Sequence, residues 1–183
     1  MKATLVDNIL KKWRLKKAEK LVKGGVVYDI GCYHGEFLKK IEKKIEKGYG
    51  IDKLVNKNST KKITFKKAYI KEKIPGKENS ADYLTMIAIL EHLENPEKML
   101  KDCRRILKKG GLIIITTPHP RGKNILEWLV KLRLVGWGEE EIKDHKGYYD
   151  EKAIEEMLKK AGFGSIRCEL FEFGLNVLAT AKK

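Results

Sequence analysis

The sequence predicts an α/β fold: a doubly wound, mostly parallel sheet of seven strands that ends in a C-terminal antiparallel hairpin. Two observations support it. Short apolar segments alternate with helical patterns up to about residue 161, which is typical of a parallel sheet covered on both faces. The tail FGSIRCELFEFGLNVLATAKK reads differently, as two successive strands around Gly174. Strands that follow each other without a helix pair antiparallel, so the tail predicts the hairpin.

The first half of the chain predicts two helices and three strands. Apolar residues recur at helical spacing from Leu5 to Trp13, so we expect a basic amphipathic helix within residues 1–23, ended by Gly24 and Gly25. Residues 26–30 are an apolar strand. A helix over 34–47 follows, with Gly48 as its stop. Strands are expected at 49–52 and 63–69.

The second half continues the alternation. Residues 83–89 contain a fourth strand, and Asn95-Pro96 is a helix start, with a capping side chain before a proline. Gly110 and Gly111 end that helix before the strand at 112–117. Asp150 caps a helix that runs to Ala161. The mixed segment 121–149 is expected on the substrate side as a lid, although its apolar residues would equally suit a core or dimer face. They include Trp128, Leu129, Leu132 and Leu134.

Length and composition favour one soluble domain over residues 1–183, with 42% hydrophobic and 36% charged residues. No apolar run approaches the roughly 18 residues of a membrane span, and no signal peptide is apparent. The three cysteines form no CxxC pair, which speaks against disulfides and zinc and favours a reducing cytoplasm. Abundant lysine and glutamate without any glutamine indicates a thermophilic source.

The net charge of +15 has two readings. Lysine pairs recur along the whole chain, as on a solvated surface. Two stretches, 11–23 and 53–73, hold a single acidic residue each, so they are candidates for a polyanion-binding patch.

The segment VVYDIGCYHGEFL, from Val26 to Leu38, is the strongest candidate for a ligand-binding loop. Its glycines allow a tight exit from the strand and close approach of a ligand. Asp52 ends the second strand about twenty residues later, where a carboxylate can accept two ribose hydroxyls. Tyr33 and Glu36 occupy glycine positions of the GxGxxG dinucleotide fingerprint. A cofactor with a ribose but no pyrophosphate therefore fits best, and a dehydrogenase is disfavoured.

This loop, YGID at 49–52, and ADYLTMIAILEHLENPEKMLKDCRRILKKGGLIIITTPHP resemble class I S-adenosylmethionine-dependent methyltransferases, notably the small-molecule type with an LEHL-like motif. The resemblance covers Val26 to Thr117 and implies a Rossmann-like fold. It also implies S-adenosylmethionine as cofactor and S-adenosylhomocysteine as product. The cofactor-binding positions that it implies are Asp29, Gly31, Cys32, Tyr33, Gly35, Asp52, Lys53, Tyr69, Ile70, Met86 and Ile87.

Two positions depart from the family pattern. Tyr33 replaces a glycine, and it can still offer its backbone amide provided that its φ need not be positive. Tyr69 stands where the family has an acid for the adenine amino group. Its hydroxyl or a backbone carbonyl could accept that bond; otherwise adenine recognition is weaker.

Methyl transfer from a sulfonium needs a base only when the acceptor must lose a proton. His92, after the fourth strand, is the candidate general base, and its alternative role is ordering the loop. His119, His145, Tyr148 and Tyr149 are expected on the substrate side, although packing explains the two tyrosines equally. Glu91 is expected to stabilise the loop. We expect no metal, because no histidine–carboxylate cluster shows metal spacing along the sequence.

The acceptor is expected to be a small molecule, because the chain lacks the NPPY or DPPY tetrapeptide and an RNA-binding domain. An RNA methyltransferase that uses the basic surface is the alternative. A third hypothesis is a cofactor-binding protein without catalytic activity. The sequence makes no prediction of oligomeric state.

Overall fold

The fold is built on one seven-stranded sheet. A computed structural model describes residues 4–70, 73–122 and 145–183. The strand order is β3-β2-β1-β4-β5-β7-β6, with β1 to β5 parallel and β7 antiparallel to both of its neighbours. The predicted sheet and its C-terminal hairpin are thus confirmed. The strands are β1 (Val26–Ile30), β2 (Lys47–Asp52), β3 (Ile63–Lys67), β4 (Ala81–Ile87), β5 (Leu107–Pro118), β6 (Gly164–Phe171) and β7 (Asn176–Lys182).

Helices cover both faces of this sheet. The described helices are α1 (Leu5–Leu21), α2 (Glu36–Ile41), α3 (Pro96–Ile106) and α4 (Glu151–Lys160). Helices α1 and α2 share a buried cluster on one face, which includes Ala18 and Leu38. Helices α3 and α4 contribute Leu100 and Leu158 to a larger cluster on the other face. Burial of these apolar side chains is the main force that holds the layers together.

The helix starts agree with the capping residues in the sequence. The Asn95 side chain accepts a hydrogen bond of 3.0 Å from the backbone N–H of Lys98, and Pro96 takes the first helical position. Asp150 caps α4 in the same way, through the N–H of Ala153 at 2.8 Å. Such caps satisfy backbone donors that have no partner within the helix.

Two element boundaries differ from the expectation. Helix α2 ends at Ile41 rather than near residue 47, because the N–H groups of residues 46 and 47 both turn to the carbonyl oxygen of Gly25. Strand β5 begins at Leu107, so Gly110 and Gly111 lie inside it rather than ending the helix. Both glycines bond to the backbone of Lys183, at 3.0 Å each, which keeps this stretch extended.

The inward face of α1 also differs from the predicted one. Asp7 and Arg14 are buried, whereas Val6, Ile9 and Trp13 are 36–52% exposed. Among the described residues, no helix combines the length and apolarity needed to cross a membrane.

Candidate functional site

A pocket of about 670 Å³ lies at the carboxyl ends of the central strands, within the size range of ligand sites. Strand β1 sits between β2 and β4, where the strand order reverses, and open α/β sheets bind ligands at such switch points. The wall is formed by loop residues after β1, β2, β3, β4 and β5 together with one side chain from α1 and two residues before α4. It comprises Arg14, Gly31, Tyr33, Asp52, Lys53, Leu54, Tyr69, Ile70, Ile87, Ala88, Ile89, Glu91, His92, Leu93, Glu94, Asn95, Pro118, His145 and Lys146.

Two glycines shape the loop after β1. Gly31 and Gly35 have φ angles of 75° and 70°, in the left-handed region that favours glycine. A Cβ on Gly31 would lie 2.6 Å from Cγ1 of Ile89, and one on Gly35 would overlap the Phe65 ring. Both positions therefore require glycine for backbone conformation and for close packing. Gly31 lines the pocket, whereas Gly35 supports the loop from behind.

Tyr33 adopts a positive φ of 46°, so the condition for its amide to remain available to a ligand is not met. That N–H donates instead to Oδ2 of Asp52, at 2.9 Å. The tyrosine ring is 53% exposed, forms part of the pocket wall and lies 3.8 Å from the His34 ring, centroid to centroid. Tyr33 therefore contributes its ring to the pocket and its amide to the carboxylate beside it.

Asp52 is buried at the end of β2 and lines the pocket. Its Oδ1 accepts a second backbone hydrogen bond, from the N–H of Leu54 at 2.7 Å. These two bonds fix the carboxylate, and because an ionised carboxylate has about four acceptor positions, roughly two are left for hydroxyl groups of a ligand. Lys53, Tyr69 and Ile70 lie on the same pocket wall.

Asp29 lies beneath the loop rather than on the pocket wall, and its residue is 3% exposed. Burial raises the pKa of its carboxyl to about 7; the hydrogen bond from Thr85 Oγ1, 2.7 Å long, opposes this and the charge of Asp52 adds to it. Asp29 is thus a carboxyl whose charge is sensitive to pH near neutrality.

Two other predicted cofactor residues turn their side chains into the protein. Met86 is fully buried, with its sulfur 3.8 Å from that of Cys103. Cys32 is buried as well, and burial raises the pKa of its thiol well above the usual range. Their side chains support the loops, whereas Ile87 lines the pocket.

His92 and His145 meet on the pocket wall. Their rings make an edge-to-face contact with centroids 4.8 Å apart, and the Tyr148 hydroxyl lies 2.9 Å from Nδ1 of His145. His92 ends the short 3₁₀ turn Leu90–His92, and His145 precedes α4. The structure thus brings together three of the predicted acceptor-side residues.

The other predicted acceptor-side residues lie elsewhere. His119 is buried off the pocket wall, with Nε2 3.2 Å from Glu151 and Nδ1 accepting from the N–H of Arg121. Tyr149 packs against the larger core cluster, and burial raises its pKa. Residues 123–144, with Trp128 and most of the expected lid, lie outside the described residues.

Sequence reasoning missed two features of the wall. Arg14 reaches it from α1, with Nε 3.8 Å from Oε1 of the buried Glu172. Glu91 is 1% exposed and lies with His92 and His145 so that one ligand-type atom of each is within 4.8 Å of the others. Neither contact could be predicted from a local sequence pattern, because the partner residues are far apart in the chain.

A family profile described as "Methyltransferase domain" (Methyltransf_23) matches residues 4–166. The chain belongs to this methyltransferase family. That membership confirms the predicted enzyme class and S-adenosylmethionine as its cofactor.

Individual relatives agree with this assignment. A Methanocaldococcus jannaschii protein described as uncharacterized is 29% identical over 88% of the chain and 75% of its own length. The ubiquinone biosynthesis O-methyltransferase of Dechloromonas aromatica is 28% identical over 44% of the chain and 35% of its own length. The chain thus spans between 35% and 75% of these two curated relatives.

Among solved structures, a SAM-dependent methyltransferase from Archaeoglobus fulgidus superposes with a TM-score of 0.73 at 20% identity, covering 96% of this chain and 94% of its own. This similarity independently supports the Rossmann-like fold of the methyltransferase described here.

Proposed function

We propose that this methyltransferase acts on a small-molecule acceptor that enters the 670 Å³ pocket from the His92 side, while the cofactor occupies the Asp52 side. The observation that carries the proposal is that Asp52 and His92 line the same pocket. One cavity can therefore hold a donor and an acceptor close together, and alignment is the main requirement of methyl transfer.

The residues present fit S-adenosylmethionine. Gly31 lines the pocket and presents only backbone to a ligand there, and Asp52 keeps acceptor capacity for two ribose hydroxyls. Glu36, in the first turn of α2, disfavours a phosphate at that helix start, in keeping with a cofactor that has none. In this proposal Tyr69 and Ile70 contact the adenine. Asp29 lies beneath the loop and interacts with the cofactor electrostatically, through its charge.

When bound, S-adenosylmethionine supplies a methyl group made electrophilic by the sulfonium charge. The protein contributes orientation and exclusion of water by the apolar wall of Ile87, Ile89 and Leu93. An acceptor hydroxyl would give its proton to a ring nitrogen of His92 as its oxygen attacks. The partly exposed His145 and Lys146 would contact the acceptor at the rim.

A small acceptor is favoured by one of the relatives. The Dechloromonas aromatica protein named above is an O-methyltransferase of ubiquinone biosynthesis. An oxygen nucleophile is therefore the first class to try, with phenols ahead of alcohols because they ionise more readily.

One observation favours RNA as a second candidate acceptor. Lys53 lines the pocket, and exposed lysines continue from it along β3, including Lys66 and Lys67. Such a strip could neutralise phosphates, in which case affinity would fall steeply with salt.

The first experiment is a calorimetric titration with S-adenosylhomocysteine and S-adenosylmethionine, with NAD as the control ligand. Binding of both adenosyl compounds, followed by acceptor-dependent formation of S-adenosylhomocysteine from a panel of phenols, supports the proposal. Methylation of RNA with a steep salt dependence would replace it with the second candidate. Cofactor binding without product from phenols, other small molecules or RNA would identify a binding protein.

A further inference from the structure

The acceptor side of the pocket contains three metal-ligand side chains from two separate segments. Glu91 and His92 belong to the 3₁₀ turn after β4, and His145 comes from the segment before α4. One carboxylate oxygen and one nitrogen from each ring lie within 4.8 Å of one another, and all three residues line the pocket. Two imidazoles and one carboxylate form a ligand set that binds divalent transition metals.

The outer contacts of this cluster are those that orient metal ligands. Thr117 donates its hydroxyl to Oε2 of Glu91 at 2.9 Å, in a buried hydrogen bond. The Tyr148 hydroxyl lies 2.9 Å from Nδ1 of His145, which leaves Nε2 of that ring as the ligand atom. Ligating carboxylates and histidines in metalloproteins carry such second contacts, which fix ring orientation and side-chain geometry.

The two segments are also tied together by the backbone. The carbonyl oxygen of Glu91 accepts hydrogen bonds from the N–H groups of Lys146 and Gly147, at 2.7 and 3.3 Å. His145 is therefore held against the 3₁₀ turn by its neighbours in the chain.

From this geometry we propose that Glu91, His92 and His145 bind a divalent transition-metal ion, of the kind exemplified by Zn²⁺ or Co²⁺, on the acceptor side of the pocket. Metal–ligand bonds of about 2.1 Å bring ligand atoms to roughly 3–3.5 Å from each other. The most widely separated ligand atoms must therefore approach each other by up to roughly 1.3–1.8 Å. Since three side chains leave at least one coordination position, an acceptor oxygen can bind to the ion directly.

The assignment of this cluster to the acceptor side rests on the proposed function. Within that function, a bound ion would change the role of His92. As a ligand, His92 would hold the ion and would not act as the base. An acceptor hydroxyl bound to the ion would lose its proton to water more readily, because the positive charge stabilises the resulting oxygen anion.

The test is a titration of untagged, chelator-treated protein with Co²⁺, followed by visible absorption and calorimetry, without cofactor or acceptor. We expect one Co²⁺ per chain, with the absorption bands of nitrogen- and oxygen-ligated cobalt, and displacement by Zn²⁺. Because neither cofactor nor acceptor takes part, failure of this titration leaves the methyl-transfer proposal standing.

Variants decide whether the ion is bound at this cluster. His145→Ala and Glu91→Gln should each weaken Co²⁺ binding more than Tyr148→Phe, for which the loss expected of an outer contact is roughly tenfold. Tyr148→Phe keeps its ring and serves if the other variants fold poorly. His34→Ala, which removes a histidine outside the cluster, should bind Co²⁺ like the wild type. Absence of Co²⁺ uptake by the wild type, or unchanged uptake by folded His145→Ala or Tyr148→Phe, would overturn the proposal.

Discussion

Asp29→Asn tests the free-energy cost of burying an ionisable carboxyl beneath the loop after β1. Burial raises the pKa of Asp29 from 3.8 to about 7. A difference of about three units at about 1.4 kcal/mol each corresponds to about 4 kcal/mol between the two protonation states. Asparagine keeps an oxygen for the Thr85 hydroxyl but cannot ionise, so the variant should escape this penalty.

The sign of the pH dependence follows from proton linkage. Folded Asp29 binds its proton more tightly than the unfolded chain does. Its favourable contribution is therefore fully present below about pH 4 and is lost as the pH rises through about 7. We expect the stability of Asp29→Asn relative to wild type to increase from near zero at pH 4 to at most about 4 kcal/mol above pH 8.

Urea unfolding of both proteins between pH 4 and 8.5 measures this difference, and the comparison cancels groups common to both. Asp82→Asn is the matched control of opposite sign. Asp82 is partly desolvated, but hydrogen bonds of 2.8 Å from Lys108 and from the N–H of Val26 leave its pKa lowered. Above about pH 4, the free energy of unfolding of Asp82→Asn should therefore be lower than that of the wild type. A stability difference for Asp29→Asn that stays constant across the range would refute the reasoning.

Three further predictions concern the pocket wall. Asp52→Ala removes the expected ribose acceptor and should weaken S-adenosylhomocysteine binding by about 1–3 kcal/mol, measured by calorimetry. Gly31→Ala forces a positive φ and a contact with Ile89, so the free energy of unfolding in urea should fall by about 2–4 kcal/mol. Arg14→Met leaves the buried Glu172 without this cation and should cost about 3 kcal/mol at pH 8, because pH 8 lies above the pKa of about 7 to which burial raises this carboxyl.

Each of these predictions has a contradicting result. Unchanged cofactor affinity in Asp52→Ala would remove that residue from the ribose site. Wild-type stability of Gly31→Ala would mean that the loop relaxes away from Ile89. For Arg14→Met, the added substitution Glu172→Gln should restore part of the stability, and no recovery would show that the buried pair is not the cause of the loss.

The sheet and the glycine-containing loop after β1 could be predicted from the sequence because their signals are local. Apolar strands alternate with helices, and the spacing from Gly31 to Asp52 lies within one strand–helix–strand unit. Asn95 and Asp150 marked helix starts because capping depends on a hydrogen bond three residues ahead. The structure confirms these strands and helix starts, except that α2 ends earlier and β5 begins earlier than predicted.

The rest depends on contacts between distant segments. Arg14 and Asp7 are buried on α1 while Trp13 stays partly exposed, and Glu172, which faces Arg14, lies near the other end of the chain. The cluster of His145 with Glu91 joins segments on either side of residues 123–144, and no spacing rule connects them. Tyr33 likewise combines a positive φ with a backbone hydrogen bond to Asp52. The residue type gives no indication of this conformation in the sequence.

The position of β7 has a consequence for synthesis on the ribosome. Strand β7 lies between β5 and β6, so β6 is synthesised before the strand with which it pairs. Until residues 176–182 are made, the nascent chain presents the apolar β5 with one unpaired edge. Open edges of this kind recruit other chains. Released fragments from premature termination ahead of Asn176 should therefore aggregate.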